Sequence, residues 1–161
     1  MQKRVACVFV GVVSLLAVGS MATAQSADPW IGTWKTNLAK STYSPGPTPT
    51  VAGTVKLEPS AGGLKTTIDG TNAEGQATHT ETVGKFDGQD NPVKGAAVPN
   101  STSAYKRIDG RTFEVMGKAD GKPTVTTRVV VSADGKTVTA TQTGKNAQGQ
   151  TVNNVLVQDK Q

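Results

Sequence analysis

Most of the chain consists of short runs in which apolar and polar residues alternate, separated by residues typical of turns. The spacing of the apolar residues is nearer two than 3.6, which favours half-buried strands over amphipathic helices. Val and Thr dominate the runs, and both are β-branched residues that fit a pleated surface. The pattern predicts strands near residues 30–36, 50–58, 64–69, 76–86, 102–108, 111–118, 124–132, 136–143 and 151–158.

Turn-forming dipeptides separate these runs. Gly adopts positive φ freely and Asp tolerates it, so Asp-Gly pairs are typical of tight turns. The chain has them at 69–70, 87–88, 109–110, 120–121 and 134–135. Because short connections join antiparallel neighbours, the sequence predicts a meander.

The predicted meander is compatible with two architectures. An open sheet leaves unpaired edges, and closure into a barrel is the simplest way to remove them. The scarcity of long crossovers favours an up-and-down barrel of about eight to ten strands. A β-sandwich of two sheets stays open as the alternative. The fold class is therefore all-β, built from antiparallel up-and-down strands.

Two segments interrupt the rhythm of strands and turns. Ser44–Pro49 alternates Pro with small residues and cannot form a regular ladder. Residues 90–99 form a second long connection, with one very short strand inside it as the alternative. Because long loops tend to carry function, we expect these two to form the rim of any pocket. The loops at 70–76 and 144–150 have similar sequences, which we interpret as one hairpin connection used twice.

The first 24 residues have the pattern of an export signal. Lys3 and Arg4 precede an apolar run over residues 5–18, and small residues at Ala22 and Ala24 follow it. The run is shorter than the roughly 20 residues that a spanning helix needs. We expect cleavage after Ala24, with Ala22 as the alternative. Residues 25–161 are then a single barrel domain in the periplasm or outside the cell, with no membrane span.

Composition narrows the partners of this domain. The formal net charge of the full chain is +5, and removal of Lys3 and Arg4 lowers it to +3. The basic residues are scattered, so we expect no nucleic-acid partner. The only cysteine is Cys7, inside the apolar run, so the mature domain has no disulfide. The sequence does not indicate which protein partner, if any, the domain has.

The mature domain also lacks the usual signatures of catalysis. His79 is its only histidine, and the sequence contains no Gly-x-Ser-x-Gly elbow, phosphate loop or dinucleotide fingerprint. One His without Cys does not make the usual zinc site. We therefore predict no catalytic residue, metal or cofactor. A hydrolase or isomerase centred on His79 and Glu81 stays open as a minor hypothesis.

Strand parity identifies five polar residues that could face a barrel interior. His79 and Glu81 share one face of their strand, Tyr105 and Arg107 share one face of theirs, and Arg128 lies within a valine-rich strand. Arg and Tyr in a pocket would suit an anionic or hydroxylated ligand. All five are candidate ligand-binding residues. The alternative places the charged ones on the solvated face.

The segment Ile31-Gly32-Thr33-Trp34-Lys35 resembles the Gly-x-Trp opening strand of the lipocalins and fatty-acid-binding proteins, the calycin group. The resemblance implies that Gly32 and Trp34 close the bottom of the barrel. It also implies that a basic residue from a late strand packs on the Trp, and we take Arg128 as that residue. The last strand lacks the Arg-x-Tyr pair that holds a carboxylate in fatty-acid-binding proteins.

A second resemblance extends over most of the mature chain. The chain resembles a group of exported bacterial proteins without an assigned activity in four places: Gly32–Lys35, Ala39–Ser41, Tyr43–Pro47 and the Ser132–Lys136 turn. Together the observations predict a lipocalin-like exported protein that binds a small hydrophobic or amphipathic molecule. With few aromatic residues to line it, the pocket should be small and mixed in polarity. The alternative is a structural or protein-interaction module of the cell envelope.

Overall fold

The computed structural model describes residues 28–46, 48–72, 74–146 and 148–161. The predicted export signal, residues 1–24, lies outside the described residues. The described residues form ten strands and one short 3-10 helix, Leu38–Lys40. The strands are β1 Gly32–Thr36, β2 Thr54–Ser60, β3 Gly63–Thr71, β4 Ala77–Lys85, β5 Asp87–Pro92, β6 Ser101–Arg107, β7 Thr112–Ala119, β8 Lys122–Val131, β9 Thr137–Lys145 and β10 Thr151–Lys160. Within those ranges, no helix has the length and apolar character needed to cross a membrane.

The ten strands form one antiparallel sheet in the order β4-β3-β2-β1-β10-β9-β8-β7-β6-β5. Every strand pairs with its neighbour in sequence except β4 with β5, and β1 pairs with β10. The β4 edge is bridged by the segment after β5, because Glu81 and Lys94 exchange two backbone hydrogen bonds of 3.0 and 2.9 Å. The sheet is therefore a nearly closed up-and-down barrel. The predicted all-β meander is confirmed, and the sandwich alternative is wrong.

Strand β5 is the element that the sequence pattern predicts only in part, as one very short strand within a connection. Asp87-Gly88 was expected to be a turn and residues 90–99 a connection, but Asp87–Pro92 pairs with β6. The strand contains no Val or Thr, and its pairing is irregular between Asp87 and Asp90. Because most of its residues are exposed, it has no alternating pattern to reveal it.

Antiparallel alternation sends the connections to two opposite ends of the barrel. Those that follow odd-numbered strands emerge at one end. They include both long connections and both similar loops, so the segments expected to form a rim lie at the same end of the barrel. In each similar loop one Asn side chain accepts from two backbone amides, at 3.1 and 2.8 Å for Asn72 and at 3.1 and 2.9 Å for Asn146. The two loops thus share the same hydrogen bonds around their asparagine.

The other end of the barrel, called the closed end below, is filled by large apolar side chains. Six of them are less than 2% exposed: Trp30, Trp34, Leu64, Phe113, Val131 and Val138. The indole Nε1 of Trp34 donates a 2.8 Å hydrogen bond to the backbone oxygen of Trp30. Because this end is packed, any space inside the barrel must lie above it.

Gly32 and Lys160 complete the closed end. Lys160 is the last residue of β10, and its ammonium nitrogen lies 5.1 Å from the centre of the Trp34 ring. Gly32 has φ of +140°, and a Cβ there would lie 3.1 Å from Cε of Lys160. The prediction that Arg128 packs on Trp34 is wrong. Arg128 pairs instead with Glu114, at 2.8 Å on the outer surface.

Candidate functional site

The barrel encloses a cavity of about 370 Å³ above the closed end. Ligand pockets typically measure about 300–1,000 Å³, so this cavity has the size of a small pocket. Ile68 lines it and is 45% exposed, which shows that the cavity reaches solvent near the end of β3. The interior of this barrel is therefore hollow in part and packed at one end.

The cavity wall is mainly apolar and contains no charged side chain among the described residues. The apolar lining includes Val55, Leu57, Val93, Phe113, Val115, Val129, Val138, Ala140 and Leu156. The polar lining consists of hydroxyls and amides: Thr36, Thr54, Thr66, Thr80, Thr82, Ser103, Tyr105, Thr127, Gln142 and Gln158. This wall suits a molecule that is largely apolar, uncharged and able to form a few hydrogen bonds.

Strand alternation decides which side chains reach this wall. On β4, Thr80 and Thr82 line the cavity, so His79 and Glu81 point away from it. On β8, Thr127 lines the cavity and Arg128 points outward by the same rule. His79, Glu81 and Arg128 therefore lie on the opposite face of the sheet from the cavity.

Tyr105 is the one sequence-predicted ligand residue that lines the cavity. It is 2% exposed, and its hydroxyl donates a 3.1 Å hydrogen bond to Oγ1 of Thr66. Burial raises the pKa of Tyr105, against the smaller opposing effect of hydrogen bonds to Thr66 and Thr82. Its hydroxyl therefore stays a neutral donor at physiological pH. Tyr105, Thr66 and Thr82 are called the hydroxyl cluster below.

Gly84 makes room for the ring of Tyr105. A Cβ at position 84 would lie 2.7 Å from Cδ2 of Tyr105 and 2.8 Å from Nδ2 of Asn91. Glycine inside a strand often marks such a close approach. The cluster thus depends on contacts between β4, β5 and β6, where the barrel edges meet.

Arg107 lies at the closed end rather than in the cavity wall. The carbon of its guanidinium is 4.6 Å from the centre of the Trp30 ring and 4.7 Å from that of Phe86. Two of its nitrogens donate to the Asp28 carboxylate, each at 2.7 Å. The hydrogen bond from Arg107 lowers the pKa of Asp28, and the same contact raises the pKa of Arg107. Arg107 therefore stacks on the aromatic side chains that close the barrel.

His79 and Glu81 lie on the outer surface and do not line the cavity. Nδ1 of His79 is 2.7 Å from Oδ1 of Asp69, and this hydrogen bond is the main reason that the pKa of His79 is raised. Lys65 lies 3.0 Å from Glu81 and lowers the pKa of its carboxyl. A hydrolase or isomerase centred on these two residues needs them in a cavity, so that hypothesis is abandoned. None of His79, Glu81, Arg107 and Arg128 lines the cavity. A ligand-binding role for these four residues stays a prediction.

Two glutamines of the cavity wall were missed by the sequence analysis. Gln142 lies on β9, and its side-chain oxygen accepts a 2.9 Å hydrogen bond from Nδ2 of Asn154. Gln158 lies on β10 and is 5% exposed. Strand parity could have found both, because each lies two residues from an apolar residue that faces inward, Ala140 and Leu156.

The described ranges contain no group of three or more His, Cys, Asp or Glu side chains placed to hold a metal ion. The chemistry available in the cavity is therefore that of neutral hydroxyls and amides.

Comparison of the chain with protein-family profiles and with curated proteins gave no match. Among solved structures, the chain is similar to the zebrafish ileal bile acid-binding protein in complex with cholic acid. The TM-score is 0.47 at 11% sequence identity, and the match covers 83% of this chain and 99% of that one. A similarity at this level does not identify a ligand, so the function must be inferred from the cavity.

Proposed function

We propose that this protein is an exported, calycin-like barrel that binds a small, uncharged and mainly apolar molecule in its cavity. The observation that supports the proposal is the wall of the cavity of about 370 Å³, which combines apolar side chains with hydroxyls and amides. Pockets for small molecules commonly have this composition. Tyr105 and the rest of the hydroxyl cluster supply directed hydrogen bonds on one side.

The absence of charge in the described part of the wall argues for a neutral ligand. An ionised group buried without a partner costs several kcal/mol or more. Arg107 and Arg128, the two arginines considered for an anion, are already paired with Asp28 and Glu114. A fatty-acid carboxylate would therefore find no positively charged partner among the described residues of the cavity wall.

The export pattern of residues 1–24 supports a periplasmic or extracellular site of action. In that compartment a barrel with a mainly apolar cavity would carry or sequester a poorly soluble neutral molecule. The resemblance to exported bacterial proteins through Gly32-Thr33-Trp34-Lys35 supports the same placement.

Two fluorophores that differ in one charge test this proposal. N-phenylnaphthylamine is neutral, whereas anilinonaphthalene sulfonate carries the same ring system with a sulfonate. Titration into protein expressed from the full-length chain should show saturable binding of the neutral compound. The anion should bind at least about tenfold more weakly, because its charge finds no partner.

Two neighbouring substitutions on β9 locate the binding. Ala140 lines the cavity, whereas Thr139 points to the opposite face of the strand. Ala140→Leu should weaken binding of the neutral fluorophore by filling the cavity, and Thr139→Leu should leave it unchanged. Equal binding by both variants, or stronger binding of the anion, would contradict the proposal.

A further inference from the structure

The side-chain amide of Gln158 faces the cavity without a partner in the described part of the protein. Gln158 is 5% exposed and lines the cavity, so its side chain faces the cavity and not the outer surface. Gln142, the other glutamine of the wall, has its side-chain oxygen occupied by Asn154 at 2.9 Å. No hydrogen bond of this kind joins the Gln158 side chain to another described residue.

Buried amides in folded proteins nearly always find hydrogen-bond partners. The neighbours of Gln158 across the barrel wall are Thr36 on β1 and Val138 on β9. Since neither occupies the amide, its donor and its acceptor are left to whatever fills the cavity. We propose that Gln158 recognises an amide group of the ligand, a carbonyl oxygen beside an N–H. This inference rests on the proposed function and specifies the class of molecule that it binds.

The choice of an amide follows from the geometry of the glutamine side chain. Its planar head presents an N–H donor and a carbonyl acceptor side by side. A primary amide or a lactam presents the complementary pair and satisfies both groups at once. A carboxylate offers acceptors alone, so it leaves Oε1 of Gln158 unpaired and adds a charge that this wall does not neutralise.

The hydroxyl cluster supplies a second polar contact. The Tyr105 hydroxyl donates a hydrogen bond to Oγ1 of Thr66. The O–H group of Thr66 can therefore donate a hydrogen bond to another acceptor. The apolar part of the same wall includes Leu57, Phe113 and Leu156. The inferred ligand is thus an apolar molecule with an uncharged amide at one position and room for a further oxygen at another.

Three compounds with the same alkyl chain test the inference by isothermal titration calorimetry: octanamide, octanol and octanoate. The wild-type protein should bind octanamide about tenfold more tightly than octanol, from the added hydrogen bond, and octanoate most weakly. Gln158→Leu should remove the preference for the amide while keeping octanol binding. Thr139→Leu, which lies on the outward face of β9, should keep the preference.

A measurement on the unmodified protein makes the test independent of variant folding. In ¹H–¹⁵N spectra, the side-chain amide resonances of Gln158 should shift on addition of octanamide and move less with octanol. Equal affinity of the wild type for octanamide and octanol, with the neutral fluorophore bound, would overturn the amide inference and leave the proposed function standing. Failure of the fluorophore and of all three compounds to bind would overturn both.

Discussion

Substitutions of Arg107 test which contacts stabilise the closed end of the barrel. Its contacts with the aromatic rings and with Asp28 can be removed separately. Its guanidinium lies 4.6 and 4.7 Å from two aromatic ring centres and forms two hydrogen bonds with Asp28. The perturbations are Arg107→Ala, which removes all of these contacts, Arg107→Lys, which keeps the charge, and Asp28→Asn, which removes the ion pair alone.

The magnitudes follow from the exposure of the two side chains, 40% for Arg107 and 37% for Asp28. A cation–π contact at a site of this kind contributes about 0.5–1 kcal/mol, and there are two. Solvent screening limits the ion pair to about 0–1 kcal/mol. Arg107→Ala should therefore lower the free energy of unfolding by about 2 kcal/mol, and Asp28→Asn by less than about 1 kcal/mol. Arg107→Lys should fall between them, because an ammonium cannot stack as a planar group.

Urea unfolding followed by tryptophan fluorescence is the appropriate assay, because Trp30 and Trp34 both lie at the closed end. The slope of the transition should stay constant, so that the change reflects stability alone. The depressed pKa of Asp28 adds a pH test. The contribution of the ion pair is present above the ordinary Asp pKa of 3.8 and is lost as the pH falls through the lower folded value.

Two results would refute the stacking account. If Asp28→Asn costs as much as Arg107→Ala, the ion pair and not the rings holds the arginine. If Arg107→Ala changes the free energy of unfolding by less than about 0.5 kcal/mol, the stacked geometry does not contribute to stability in solution.

Three further predictions concern other sites. Gln158→Leu removes a buried amide without a described partner and should raise the free energy of unfolding of the ligand-free protein by about 1 kcal/mol, and a lower urea midpoint would contradict this. Gly84→Ala forces the ring of Tyr105 to move and should cost about 1–3 kcal/mol, measured by thermal unfolding, whereas an unchanged midpoint would show that the ring moves freely. Asp69→Asn should lower the pKa of His79 in an NMR titration, because it removes the contact that raises this pKa, and an unchanged titration would show that the contact is absent in solution. Since the pKa of His79 is raised on folding, this contact stabilises the protein below the ordinary pKa of 6.5 and is lost as the pH rises through the folded value.

The strands were predictable wherever one face is buried. Runs rich in Val and Thr gave β7, β8 and β9 to within a few residues, because their alternation reflects the inside and outside of the barrel. Asp87–Pro92 has no such alternation. It forms a strand because it pairs with β6. The residues of the segment itself therefore do not predict the strand.

The cavity was less predictable than the fold. Strand parity predicts that Tyr105 and Arg107 share a face, and both side chains point inward. Parity does not show how far along the barrel axis a residue lies. Arg107 reaches the closed end, where Trp30, Phe86 and Asp28 hold it. Those contacts join residues up to 79 positions apart, so local pattern does not reveal them.

The role of Gln158 was hidden for a different reason. A glutamine at a strand position is ordinary in sequence, and its significance depends on whether its amide has a partner after folding. Asn154 provides that partner for Gln142 but not for Gln158. This difference arises from the packing of two adjacent strands and becomes visible only in the folded barrel.

The central claim is that the barrel contains a site for an uncharged molecule above its closed end. A crystal structure of the protein with N-phenylnaphthylamine tests it most directly. The account predicts the fluorophore inside the cavity, in contact with Leu57, Phe113 and Leu156, with Trp34 still packed beneath it. A fluorophore bound only on the outer surface, or a cavity filled by its own side chains, would contradict the account.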